Sequence, residues 1–223
     1  MKRPAVMVAV HTTNDAIAST FNLRGGAIGR FSFGKSARLK KWRLSIPHAT
    51  SRGVALYGDK VFFAVGEAVL VAIDAKTGKE VWATKVEENK NGYYITMAPL
   101  VADGKILVGA SGGEFGIRGF IAAFDPETGK ELWKSYTVPA PGEPGSDTWP
   151  KGGDQWKTGG ASIWVTGNYD PETNLSFWGT GNGGPWMGDQ RPGDNLYTSS
   201  TVAIDVATGE IKGYHQYHPN DSW

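Results

Sequence analysis

A phrase that recurs along the chain limits what it can fold into more than any other feature. Val71-Ala-Ile-Asp74-Ala-Lys-Thr77-Gly78-Lys-Glu-Val-Trp82 returns as Ala122-Ala-Phe-Asp125-Pro-Glu-Thr128-Gly129-Lys-Glu-Leu-Trp133, and again as Val202-Ala-Ile-Asp205-Val-Ala-Thr208-Gly209-Glu-Ile-Lys-Gly213. Each copy reads as a β-hairpin: apolar alternation leads into an Asp and Thr-Gly turn, where glycine accepts a positive φ, and the returning strand ends on a Trp. A large aromatic at a fixed offset from a turn can pack between neighbouring sheets. The third copy has Gly213 there, so one such contact is predicted to be missing.

Around these hairpins the sequence divides into four short strands per repeat: 53–57, 60–65, 68–74 and 79–86; then 96–101, 105–110, 119–125 and 130–136; then 162–168, 174–180, 198–205 and 210–216. Gly58-Asp59, Asp103-Gly104 and Asp170-Pro-Glu-Thr-Asn174 supply turns between the first two strands of each set. Tandem four-stranded antiparallel units predict an all-β fold, a partial β-propeller of about three to four blades over residues 42–223. A β-sandwich would explain the strands but not the repeated spacing.

Residues 1–53 hold ten Lys or Arg against one acid, Asp15, while the whole chain of 223 residues has a net charge of only +1. Residues 11–41 show no sustained period, so 1–41 is predicted to be an irregular basic segment outside the propeller domain. Met1-Lys-Arg before Ala5–Val10 has the flavour of a signal peptide, but the apolar run is short and His11 and Asp15 follow it, so no convincing signal is present. The balanced charge gives no sign of nucleic-acid binding, and no stretch is apolar enough for a transmembrane segment. Cysteine is absent, which excludes disulfides and decides nothing about compartment.

The repeat is interrupted by Gly109-Ala-Ser-Gly-Gly-Glu-Phe-Gly116, a glycine-rich loop with one acid. Interrupting loops tend to carry function. Ser111, Gly112 and Gly113 allow close approach of backbone amides, and Glu114 adds a hard oxygen suited to calcium or a similar cation. In an antiparallel pair, the start of the first strand and the end of the second share one edge. Thr96 and Trp164 are expected to begin first strands, Arg52 to precede one, and Glu114 and Asn182 to follow second strands. All five are therefore predicted to meet on one rim, as a site for a planar, anionic, metal-bound cofactor.

From Trp42 to Trp223 the chain resembles the pyrroloquinoline quinone (PQQ)-dependent alcohol dehydrogenases of the methanol and ethanol dehydrogenase group. The resemblance rests on Ser51-Arg52-Gly53-Val-Ala, Thr96-Met-Ala-Pro99, Ser111-Gly-Gly-Glu114, Gly160-Ala-Ser-Ile-Trp164 and Trp178-Gly-Thr-Gly-Asn182-Gly-Gly-Pro-Trp186. It implies an eight-bladed propeller with the quinone at its centre and a periplasmic location. It implies that Glu114 and Asn182 ligate calcium or a lanthanide. Arg52, Thr96, Ser111, Gly112, Gly113 and Ser162 would hold PQQ, Trp164 would stack under its rings, and Trp186 would roof the substrate pocket.

The implied activity is oxidation of a small primary alcohol to an aldehyde, with electrons passing to a cytochrome c or similar acceptor. Two departures accompany it. The adjacent cysteines found in many members correspond to Ile46 and Pro47, and the family's catalytic aspartate would directly follow Trp223, leaving no catalytic base among residues 1–223. Asp221 is expected to be aimed elsewhere by strand alternation. A non-enzymatic propeller scaffold that binds protein partners would keep Asp74, Gly78 and Trp82 without needing Glu114, Asn182 and Trp164 together; an inactive gene remnant is the third reading.

Overall fold

The computed structural model describes residues 8–13, 16–23, 27–32 and 50–222. In the N-terminal part, strands β1 (Val8–Thr13), β2 (Ala16–Leu23) and β3 (Ala27–Ser32) pair as an antiparallel meander in the order β1-β2-β3. The irregular chain predicted there is replaced by strands over these residues. Their pairing runs from Val8↔Phe21 to Thr13↔Ala16 and from Ala18↔Ser32 to Leu23↔Ala27. Strand formation depends more on pairing context than on any intrinsic pattern, so a weak period does not forbid it.

From Ala55 the chain makes three four-stranded antiparallel sheets, each in sequence order. The first holds β4 (Ala55–Tyr57), β5 (Lys60–Val65), β6 (Val69–Asp74) and β7 (Glu80–Lys85). The second holds β8 (Leu100–Ala102), β9 (Lys105–Gly109), β10 (Phe120–Phe124) and β11 (Glu131–Tyr136). The third holds β12 (Asn168–Asp170), β13 (Leu175–Gly179), β14 (Ser200–Asp205) and β15 (Ile211–Gln216). Strand β8 neighbours both β4 and β12, so the first strands of the three sheets converge as innermost strands do in a propeller. The middle sheet is covered on both sides, and β10 is buried at every position, which is why Phe-Ile-Ala-Ala-Phe reads as a continuous apolar run.

The turn phrase works alike in each sheet. Asp74 Oδ1 accepts from the Thr77 backbone N–H at 2.6 Å and from its hydroxyl at 2.7 Å, and Gly78 N–H closes the turn on Asp74 O with φ at 68°. Asp125 repeats this with Thr128 and Gly129, and Asp205 accepts from Thr208 N–H. Directly after each turn the register slips by one residue, so that Val81, Leu132 and Lys212 face no partner across the ladder. A bulge of this kind re-aims the strand beyond it.

The re-aimed residue is the Trp. Trp82 Nε1–H donates to Pro126 O and Trp133 Nε1–H to Val206 O, both at 3.1 Å. Each acceptor is the residue after the turn Asp of the next sheet. Two positions further on, Thr84 Oγ1 donates to Gly129 O at 2.7 Å, and Ser135 Oγ bonds Gly209 O. The ring lies flat over the receiving glycine: a Cβ on Gly129 would sit 2.6 Å from Trp82, and one on Gly209 2.7 Å from Trp133. Gly213 has no atom within 4 Å of where its Cβ would be, so the third latch is absent, as the sequence predicts.

Candidate functional site

The predicted first strands of the second and third sheets begin late, at Leu100 and Asn168 rather than at 96 and 162. Residues 94–98 and 160–166 make isolated bridges and contacts between sheets instead of continuous ladders, with Ile95, Met97 and Ile163 buried in the core. Thr96, Trp164 and Arg52 thus precede strands, and they still reach the edge where Glu114 and Asn182 follow β9 and β13.

Glu114 is positioned by a tight loop. Ser111 N–H donates to Tyr94 O at 2.8 Å and Tyr94 N–H to Ser111 O at 3.3 Å, which prolongs the β8–β9 edge into the loop. A single 3-10 turn over Gly113–Phe115 follows, entered through Gly112 at φ 116° and left through Gly116 at φ 72°. Only glycine fits at 112, because a Cβ would lie 2.2 Å from Gly92 O. Among the described residues the N–H groups of Gly112 and Gly113 donate to no protein acceptor, so both remain available to a ligand. Tyr94 OH donates to Glu114 Oε1 at 2.6 Å. Burial and, after it, this hydrogen bond push the Tyr94 phenol well above its ordinary range, so it stays a donor.

Asn182 is placed by the same device in the third sheet. Gly181 N–H donates to Ser162 O at 2.8 Å and Ala161 N–H to Asn182 O at 2.9 Å. The buried Ser162 hydroxyl stands between the two loops: a Cβ on Gly113 would be 3.1 Å from Ser162 Oγ, and one on Gly181 2.9 Å. Gly113 precedes Glu114 and Gly181 precedes Asn182, so the backbones bearing the acid and the amide are packed against one side chain. The Glu114 and Asn182 side chains are both exposed.

A third group joins all three sheets. Arg52 N–H donates to Thr96 O at 2.9 Å, and Thr96 Oγ1 donates to Trp164 O at 3.1 Å. Thr96 Oγ1 also lies 3.0 Å from Ser111 Oγ. A hydroxyl has one hydrogen, so Ser111 is the donor to Thr96. The Trp164 indole is 44% exposed, with the Arg52 guanidinium carbon 5.0 Å from its ring centre. Buried hydroxyls thus anchor the backbone, while a flat aromatic face and a cation project outward.

Trp186 is the outlier among the predicted residues. It is 59% exposed and makes no side-chain hydrogen bond or ring contact with the others among the described residues. Ile46, Pro47 and Trp223 lie outside the described residues. No three His, Cys, Asp or Glu side chains gather among the described residues. The oxygen donors present are one carboxylate and one amide, hard ligands that suit a calcium or lanthanide ion as part of its shell.

Sequence reasoning missed Tyr94 and Arg191, and it misplaced Asp221. Arg191 is fully buried, its charge disfavoured by desolvation; it donates to Pro185 O at 2.8 Å, to Asn195 Oδ1 at 2.6 Å and to Asp221 O. Asp221 does not face away. The strand ends at Gln216, Asn220 takes a positive φ of 50°, and Asp221 Oδ2 arrives 2.5 Å from Asn182 Nδ2. Strand alternation does not apply beyond the strand.

Three adjoining sheets with their loops gathered at one edge define a β-propeller with a rim site. Residues 40–223 match the family model PQQ, described as the β-propeller domain of glucose, ethanol and alcohol dehydrogenases, and the chain belongs to that family. Over 190 residues it is 48% identical to the quinoprotein alcohol dehydrogenase PedH of Pseudomonas putida, covering 78% of this chain and 31% of that protein. The quinohemoprotein alcohol dehydrogenase structure from Comamonas testosteroni superposes with a TM-score of 0.79 at 32% identity, over 98% of this chain and 36% of that one. A europium-containing methanol dehydrogenase gives 0.81 at 31% identity, over 99% and 41%. The chain thus spans about a third of the length of the relatives it matches.

Proposed function

We propose that this chain is the PQQ- and metal-binding part of a dehydrogenase that oxidises primary alcohols to aldehydes in the periplasm and passes electrons to a cytochrome c or similar acceptor. The observation that carries the reading is the exposed Trp164 indole beneath the Arg52 guanidinium, tied through Thr96 to the loop of Ser111, Gly112 and Gly113. A planar tricarboxylate needs such a set: an aromatic face for its rings, an arginine fork for a carboxylate, and free backbone N–H groups for the remaining oxygens. Ser162 holds the two loops together and offers a further hydroxyl. Glu114 and Asn182 would supply a carboxylate and an amide oxygen to calcium or a lanthanide. When bound, the metal would act as a Lewis acid towards the quinone, and the quinone would supply the hydride acceptor for alcohol oxidation.

The chain's own residues bind, orient and screen. Tyr94 holds one Glu114 oxygen and leaves the other free. Trp186 would lie over the substrate as an apolar cover. The proton of the alcohol must go to a base within hydrogen-bond reach, and the proposed base is an aspartate directly following Trp223. Support for redox chemistry over a scaffold role comes from Glu114, Asn182 and Trp164 occupying one rim. The test is dye-linked oxidation of ethanol by the complete gene product reconstituted with PQQ and calcium or lanthanum. Activity is expected, and Glu114→Ala is expected to abolish it, since neutral Asn182 cannot balance a multivalent cation by itself. Full activity in Glu114→Ala would refute the assignment.

A further inference from the structure

We propose that Asp221 is a positioning residue that fixes which end of the Asn182 amide faces the cation. The inference rests on the metal-site reading given above. A carboxylate only accepts hydrogen bonds, so the Asn182 atom 2.5 Å from Asp221 Oδ2 must be the donor Nδ2. The amide oxygen is then turned away from Asp221. Without that partner the two ends of an Asn side chain are nearly equal in shape, and either could point into the site. An amide that offers its NH2 to a cation repels it; one that offers its oxygen is a ligand.

Asp221 is itself held from several sides. Ser199 Oγ donates to the same Oδ2 at 2.7 Å, and the buried Arg191 bonds the Asp221 backbone carbonyl. Asn220 Nδ2 donates to Gly193 O at 2.8 Å and to Arg191 O at 3.0 Å. Ser199 and Asn220 both adopt left-handed backbone, with φ of 48° and 50°. Such conformations persist where the surroundings over-determine them, and they cluster at functional sites. The segment after β15 therefore acts as a clamp whose working end is the Asp221 carboxylate. Partners of this kind orient a ligand without touching the metal, and losing one typically lowers metal affinity by about ten- to a hundredfold.

The experiment is a europium(III) luminescence titration of the complete gene product without quinone, read as affinity and as excited-state lifetime in H2O and D2O. The lifetime ratio counts waters on the ion. Asp221→Ala is expected to weaken binding about ten- to a hundredfold and to add one bound water where the amide oxygen leaves. Asp221→Asn keeps an acceptor oxygen for Ser199 and Asn182, so it is expected to stay close to the parent protein in both readouts. Ser199→Ala removes the clamp on that oxygen and is expected to fall between them, which keeps the test open should Asp221→Ala not fold. Glu114→Gln is expected to lose the ion.

An Asp221→Ala protein with parental affinity and hydration, while Glu114→Gln loses the ion, would overturn the positioning role alone. So would an Asp221→Asn protein as weak as Asp221→Ala, because charge or direct ligation would then be the cause. Should Asp221→Ala not fold, a Ser199→Ala protein at parental affinity would count the same way. Unchanged binding in Glu114→Gln would overturn the metal-site reading underneath.

Discussion

Replacing Gly129 with Ala is expected to cost this protein more stability than its single added carbon suggests. Gly129 sits at φ 70°, where an L side chain costs about 1–2 kcal/mol. Its Cβ would stand 2.6 Å from Thr84 Oγ1 and 2.6 Å from Trp82 Cε3. The ring cannot retreat freely, since its Nε1–H is bound to Pro126 O and Phe62 packs 5.8 Å from it, centre to centre. Overpacking of this kind adds about 1–3 kcal/mol, giving a sum of about 2–5 kcal/mol. With a urea slope of about 3 kcal/mol/M, the unfolding midpoint should fall by roughly 1 M. Gly213→Ala is the matched control: its Cβ meets nothing within 4 Å, and Ala in a strand gains about 0.5–1 kcal/mol over Gly. A Gly129→Ala midpoint equal to the parent's, or an equal loss in Gly213→Ala, would refute the latch as the joint between sheets.

Two further outcomes can be checked on the same protein. Trp164→Ala should weaken PQQ binding by at least about fivefold, read by fluorescence titration of apo-protein, since a stacked aromatic pair contributes about 1 kcal/mol beyond its buried area. Acid should loosen the turns. The Thr77 and Thr128 hydroxyls and the Thr208 N–H hold the carboxyls of Asp74, Asp125 and Asp205 below the ordinary value of 3.8. A carboxyl whose folded value is depressed contributes stability above its unfolded value and loses it as pH falls through the folded one. Thermal midpoints should therefore hold steady above about pH 5 and drop below about pH 4, and a midpoint that rises on acidification would contradict the turn assignment.

The blades were legible because their signals are local. An Asp, a Thr-Gly and a Trp at fixed offsets state the turn, the bulge and the face that docks, and the structure realises each within one hairpin and its neighbour. The third copy's Gly213 was legible for the same reason. The first strands of the second and third sheets begin later than the sequence predicts, because the Thr96 and Trp164 carbonyls and the Thr96 hydroxyl are spent on contacts between sheets that no single repeat reveals. The rim residues could be named from their loops and placed at one edge by strand topology. Tyr94, Arg191 and the true direction of Asp221 could not. Tyr94 reaches Glu114 across a β-bridge, and Arg191 gathers carbonyls from Pro185 and Asp221. Such long-range polar partners leave no period in the sequence. The N-terminal meander escaped too, since its strands are specified by pairing rather than by alternation.

On the proposed reading, one rim of this propeller holds a metal through Glu114 and Asn182 and a quinone over Trp164. A crystal structure of the complete gene product with PQQ and lanthanum, its metal located by anomalous scattering, tests this most directly. One anomalous peak is expected, bonded to a Glu114 oxygen and to Asn182 Oδ1, with the tricyclic ring stacked on Trp164 and a carboxylate facing Arg52. A peak remote from both ligands, or a quinone lying away from the Trp164 indole, would contradict it.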